Sequence, residues 1–447
     1  MEQRPTDSFL EREANQFALL GQRRFGPFFW TQFCGAANDN LFKFALTVMV
    51  TYQLQVAWLP ASLAGLVIGA LFILPFVLFS ATSGQLAEKY DHAVLMRWVK
   101  NFEIAIMGVA AVGFATHQVA LLLLCTFLMG LHATLFGPVK FAYLPRILHT
   151  HELTGGNGMV EMGTFVAILL GNLVGGLLVA IPDIGHSVVA VACIWVALLG
   201  RWASARIPSV PASLPHTTIN WNPFTEARHN LQLARANPRV FHTLLGISWM
   251  WFFGATFLSQ FPSFAKEVLH GDAHVASLLL VVFSVGIGLG SLMCETLSRG
   301  RVEIGLVPLG AMGMSLFAVD LYVAASPLAD APLMDITTFL AHSTHWRVMT
   351  DLFLLSLFTG LYSVPLYAWV QLHSPPTECA RIMAANNIIN ALFMIASALI
   401  AGALLGMGLT ISEVLLWTGV TNAAFTTALF VAEPIYFRRL AHWLRGV

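Results

Sequence analysis

Twelve stretches of roughly 20 apolar residues punctuate this chain, and few folds can accommodate them. They lie near 28–56, 62–82, 99–117, 119–143, 157–181 and 185–204, then near 240–265, 274–296, 302–325, 348–372, 383–406 and 411–432. Each is long enough to cross a hydrocarbon core as a helix. The polar stretch 205–238, rich in Pro and Asn, separates the first six from the second six. The expected fold is therefore an all-α polytopic membrane protein with two six-helix bundles. Its parts are a tail at 1–27, a bundle at 28–204, a linker at 205–238, a second bundle at 239–432 and a tail at 433–447. Only 10% of the residues are charged and the mean hydropathy is +0.73, which excludes a soluble enzyme. The basic residues form no patch that would hold nucleic acid.

Orientation follows from charge. With a cytoplasmic N-terminus, all but four of the 23 Lys and Arg fall in inner loops and tails. The four are Lys266 and Arg347 in outer loops, and Lys43 and Lys140 inside spans. Both termini are thus expected in the cytoplasm. The first 25 residues lack a signal-peptide cleavage pattern and read as a soluble tail with an interfacial helix around Phe9–Leu20. The five cysteines are scattered through apolar runs without a Cys-x-x-Cys pair, so they read as small buried hydrophobes, with no metal site or cofactor implied.

The halves repeat one another. WTQFCGA at 30–36 matches WMWFFGA at 249–255. Gly130-Leu131 before Pro138 matches Gly360-Leu361 before Pro365, and Asn157 with Glu161 matches Asn386 with Asn390. The loop from Gly84 matches the loop from Gly290. Such repeats mark secondary transporters with a site between halves. The charges do not repeat. Asp39 aligns with Leu258, Lys43 with Pro262, Lys140 with Tyr367 and Glu161 with Asn390.

Charges inside a span are costly, roughly 2.5–3.5 kcal/mol for an Asp or Lys near the bilayer centre. The run Asn38-Asp39-Asn40 followed by Lys43 therefore calls for a purpose. Gln32, Asp39 and Lys43 share one face of the first span, and Asn157, Glu161 and Thr164 share one face of the fifth. Asp39 with Lys43, and Lys140 with Glu161, are either ion pairs that hold helices in register or contacts for a charged ligand. Glu88, Lys89, Glu295 and Arg299, near the inner ends of spans, are candidate gate contacts with Gly84. Asp320 reads as solvated, and His132 as a structural histidine able to carry a proton.

GQLAEKYDH at 84–92 resembles the inner-loop signature of the major facilitator superfamily, itself a standing example of parallel repeats, with Asp91 where that signature often has Gly. QFCGAANDNLFKFAL (32–46), GLHATLFGPVKFAYLP (130–145), GGNGMVEMGTFVAILLGNLVGG (155–176), SVPLYAWVQ (363–371) and AANNIINALFM (384–394) together resemble the lysophospholipid transporter family. That resemblance implies twelve helices working by alternating access in a bacterial inner membrane, carrying lysophosphatidylethanolamine or lysophosphatidylglycerol inward for reacylation. Lys140 suits the phosphate, and Asp39 or Glu161 an ammonium. Gln32, Asn38, Asn40, Lys43, Asn157, Tyr367, Gln371, Asn386 and Asn390 complete the expected substrate contacts. No His-x4-Asp acyltransferase signature is present, so a separate acyltransferase is the implied partner. The alternative is a proton-coupled exporter of drugs or other small amphiphiles, using Asp39 or Glu161.

Overall fold

In this computed structural model, residues 15–54, 56–325 and 332–445 are described. Part of the interfacial helix expected at Phe9–Leu20 lies outside them; the remainder is a 3-10 segment, Gln16–Gly21. Two of the fifteen α-helices among the described residues, α7 (Pro223–Ala236) and α11 (Ile336–Ala341), are short connectors, and α15 (Ile435–Leu444) is the last of them. The first half holds α1 (Gly26–Val48), α2 (Ala61–Lys89), α3 (His92–Ala115), α4 (Val119–Ile147), α5 (Leu153–Val179) and α6 (Gly185–Ser204). The second holds α8 (Pro238–Ser263), α9 (Ala273–Ser298), α10 (Leu306–Ala324), α12 (Ser343–His373), α13 (Cys379–Gly406) and α14 (Ile411–Ala432). Among the described residues there is no strand, only an isolated bridge between Gly271 and Met334.

Eleven of these helices are long and apolar enough to cross a membrane. The twelfth, α1, has 23 residues, or about 35 Å of rise, but its centre holds Asn38, Asp39, Asn40 and Lys43. The polar linker is not structureless. Asn222 accepts from the backbone N–H groups of Phe224 and Thr225, Pro223 opens the helix, and α7 follows. Asp91, the departure from the loop signature, caps α3 by accepting from Val94 at 3.0 Å. Capping explains why an acid is tolerated where Gly is usual.

The two halves pack alike. α1 lies on α5 as α8 lies on α13, α2 on α4 as α9 on α12, and α3 on α6 as α10 on α14. Gly130 abuts the Phe72 backbone of α2, and Gly360 abuts the Ile287 and Gly290 backbone of α9. A β-carbon at either position would strike main chain. The first helix of each half also runs into a π turn, Met49–Gln53 after α1 and Phe264–Val268 after α8.

The halves meet mainly at the end that bears the described termini. There α5 packs on α9, and α13 packs on α2 and α4. Gly84 faces Ala384 and Arg381, Gly158 faces the Ser291 backbone, and Gly288 faces Met162. These contacts start at the α5 N-terminus and reach about 14 Å along it. Among the described residues, no hydrogen bond or ion pair joins the halves farther along. The polar and glycine contacts between the halves are thus gathered at one end.

Candidate functional site

Where the closed contacts stop, the intramembrane charges begin. Lys140 on α4 is partly exposed, with Asp39 and Glu161 within its electrostatic reach. Its Nζ lies 4.6 Å from the Phe141 ring centroid. Phe141 stacks on Tyr367 across the halves, with centroids 4.6 Å apart and planes 6° from parallel. Tyr367 Oη accepts from Trp251 Nε1 at 3.0 Å. Glu161 Oε1 accepts from Ser363 Oγ at 3.4 Å, so α5 and α12 meet at an acid. Gln32 Oε1 accepts from Thr164 Oγ1 at 3.2 Å while its Nε2 is buried without a hydrogen-bond partner. The first half thus brings a cation and acids to the boundary, and the second brings aromatic rings and hydroxyls.

Neither sequence-expected ion pair forms at contact distance. The described pairs within 4.0 Å do not include Asp39 with Lys43 or Lys140 with Glu161. Lys43 Nζ instead sits 3.7 Å from the Phe72 ring centroid. That cation–π contact draws Lys43 toward α2 although the helical spacing would allow it to meet Asp39. Asp39 has His132 Nδ1 at 3.9 Å on α4.

Behind Asp39 lies a cluster that sequence reasoning missed. Lys100 and Glu103 on α3 form an ion pair with both side chains almost wholly buried. Asn38 Nδ2 donates to Glu103 Oε1 at 2.7 Å, and His132 Nε2 is 3.2 Å from Glu103 Oε2. Lys100 is therefore no inner-loop residue: α3 begins at His92, seven residues before the expected start near 99, and carries Lys100 into the bundle. Gly35 and Gly200 leave the room it needs. A β-carbon at Gly200 would lie 2.7 Å from Lys100 Nζ, and one at Gly35 would lie 3.4 Å away. The available signal was an acid three residues after a base inside an apolar run.

The remaining candidates divide between the halves and the closed end. Asn157 and Gln371 exchange amide hydrogen bonds of 2.7 and 3.1 Å, a reciprocal clasp from α5 to α12. Asn390 Oδ1 accepts from Ser248 Oγ at 2.7 Å within the second half. Asn386 is fully buried and neither amide atom has a hydrogen-bond partner. Asn40 donates to the Ala36 carbonyl of its own helix. Glu88 accepts from Arg381 Nε at 2.7 Å, and Glu226 of α7 lies 3.1 Å from Arg381 Nη1. Arg381, which sequence reading counted among the inner-loop cations, therefore ties α2, α7 and α13 together. Glu295 accepts from the Gln16 N–H at 2.9 Å. Arg299 takes the left-handed conformation (φ 53°) that ends α9, and Lys89 is half-exposed beside Glu88. Asp320 is not merely solvated, because Arg347 on α12 reaches it at 2.5 Å.

Comparison with known proteins gives the same fold. Residues 28–398 match the family described as the Major Facilitator Superfamily. The lysophospholipid transporter LplT of Serratia proteamaculans is 25% identical over 346 residues, covering 76% of this chain and 78% of its own. LplT of Klebsiella pneumoniae is 23% identical over 341 residues, with the same coverage. The sequence resemblance to lysophospholipid transporters is thus borne out. Among solved structures, the human organic anion transporter MFSD10 superposes with a TM-score of 0.69 at 12% identity, covering 91% of this chain and 99% of its own. The transporter FucP gives 0.68 at 12% identity, covering 91% and 97%.

Proposed function

The chain belongs to the Major Facilitator Superfamily, and from that premise we propose that this membrane transporter moves lysophospholipids across a bacterial inner membrane. The observation that carries the reading is the unequal boundary: Lys140, Glu161 and Asp39 on one side, Phe141, Tyr367 and Trp251 around and opposite. A lysophospholipid has an anionic phosphate, in some headgroups an ammonium, and one acyl chain. Lys140 takes the phosphate as a point charge. Asp39 or Glu161 takes the ammonium, and the charge-poor second half receives the chain.

Alternating access gives the closed end its role. With the two bundles 28–204 and 239–432 acting as units and both termini in the cytoplasm, the closed end faces inward and the site opens to the periplasmic leaflet. Opening inward would then require parting Arg381 from Glu88 and Glu226, and Asn157 from Gln371. Reacylation falls to a separate acyltransferase.

Uptake of radiolabelled lysophosphatidylethanolamine into spheroplasts tests the proposal. Lys140→Met should abolish uptake with normal amounts of folded protein in the membrane, and Asp39→Asn should reduce it severely. Uptake unchanged by Lys140→Met would refute the headgroup site. A second reading, a proton-coupled exporter of amphiphiles, is favoured by His132 standing between Asp39 and Glu103. It gains if no lysolipid uptake exceeds the empty-vector level.

A further inference from the structure

A cavity of about 580 Å³ opens on the outer surface of the first half, at the end bearing the termini. It lies away from the site between the halves, among the end of the Gln16–Gly21 segment, the start of α1 and the end of α6. Two guanidiniums, Arg23 and Arg206, and two indoles, Trp30 and Trp202, line it. Neither arginine has an acidic partner among the described residues, and the nearby Arg24 has claimed Glu152 through contacts of 2.5 and 2.8 Å. Arg206 Cζ rests 3.5 Å from the Trp202 ring centroid, and its Nη1 donates to the Trp202 carbonyl at 3.3 Å. The indole holds the guanidinium in place with further N–H groups unused. Trp30 and Trp202 are 48% and 63% exposed, at a level where two arginines mark the membrane interface.

Each half of this lining points to the same ligand. Free guanidiniums select a phosphate oxyanion. Exposed indoles at the interface pack on the glycerol and upper acyl region of a lipid. A soluble anion would use the first feature and leave the second without a role. We propose that this cavity is a binding site for the headgroup of an anionic diacyl phospholipid, separate from the transport site and resident in the leaflet on the side of the termini. Its neighbour, the Gln16–Gly21 segment, reaches the second half through Gln16, whose Nε2 donates to the Leu292 carbonyl at 2.8 Å. A lipid seated here therefore borders one of the contacts that close the molecule.

The test uses the full-length purified protein and native mass spectrometry, with phosphatidylglycerol, phosphatidylcholine or inorganic phosphate added. Two variants attack the site in different ways. Arg23→Gln with Arg206→Gln removes the charge. Gly21→Leu adds bulk to the cavity lining at a position where a β-carbon meets nothing within 4 Å. The wild type should retain phosphatidylglycerol in preference to phosphatidylcholine. The double variant should bind it roughly 30-fold more weakly, the scale of two interfacial arginines. Gly21→Leu should lose it with an unchanged melting temperature. Equal retention by wild type and both variants would overturn the proposal, as would equal retention of phosphatidylcholine. Displacement of the lipid by inorganic phosphate at similar occupancy would also overturn it, by making this a site for free anions. The readout does not depend on transport, so it stands or falls apart from the lysophospholipid reading.

Discussion

In the first half, α1, α3 and α4 enclose Asp39, Glu103, Lys100 and His132; in the second, α8, α10 and α14 enclose indoles, amides and hydroxyls. Trp249 Nε1 donates to Asn422 Oδ1 at 2.8 Å, and Asn422 Nδ2 donates to Ser315 Oγ at 2.8 Å and the Ala311 carbonyl at 3.0 Å. Both networks sit inside bundles with the same helix pairing. The neutral one is enough to hold such a bundle, so helix packing does not require the charges of the first half. Buried charges carry a larger desolvation cost than amides. The ion pair Lys100–Glu103 with His132, buried behind Asp39 in the half that presents Lys140 and Glu161 at the boundary, fits a need to bind that the neutral network opposite does not share.

The strongest way to break this comparison is to strand a charge. Lys100→Met leaves Glu103 buried without its cation, and breaking such a pair costs about 3–5 kcal/mol. The variant should show a large drop in detergent melting temperature and in the monodisperse fraction by size-exclusion chromatography. Adding Glu103→Gln should restore much of the loss, a coupling that a double-mutant cycle would measure. Equal damage from the single and double variants would mean that the pair is not the unit holding α1, α3 and α4.

Arg381→Met comes next. It removes a cation of the second half that reaches into the closed end, freeing Glu88 and Glu226 together. Charge-assisted hydrogen bonds of this kind contribute about 1.5–3 kcal/mol. Here the loss should appear as a shift toward the inward-open form, read by thiol labelling of Asn157→Cys from the inner side. Labelling no faster than in the Arg381 parent, which already lacks the Asn157 amide, would show that the close helix contacts at Gly84 and Gly158 hold closure without either polar tie.

The sequence made the scaffold legible and the charge partners only partly so. Apolar runs located the crossing helices, and the aligned pairs Gly130/Gly360 and Gly84/Gly290 all occupy close helix contacts. These features are local: a run or a glycine acts wherever it stands. Partnership is not local. Asp39 and Lys43 have favourable spacing, but Phe72 from α2 and His132 from α4 decide where each head goes. Lys100 counted as a loop cation because loop and helix end cannot be separated by composition where α3 begins. Arg381 stood three residues before the noted AANNIINALFM run, and only the fold brings Glu226 to it from the linker.

Asn422→Leu probes the neutral half. It strands the Trp249 N–H and removes the bonds to Ala311 and Ser315, costing about 1–3 kcal/mol. The melting temperature should fall less than in Lys100→Met. A fall of equal size would erase the distinction between an ionic and a neutral core.

The smallest change sharpens the comparison most. Tyr367→Phe deletes only the hydroxyl that accepts from Trp251 and keeps the ring stacked on Phe141 across the halves. One neutral hydrogen bond contributes about 1 kcal/mol, so stability should fall by about that amount. Transport should fall less than tenfold if Tyr367 serves as an apolar wall for the acyl chain. Lys140 stands beside the same ring pair, and on the proposed reading it offers the phosphate its charge, so Lys140→Met should be far more damaging at equal stability. Comparable losses in the two variants would place the headgroup against the second half as well. The division into a charged half for the headgroup and a neutral half for the chain would then fail at the residue where the two halves touch.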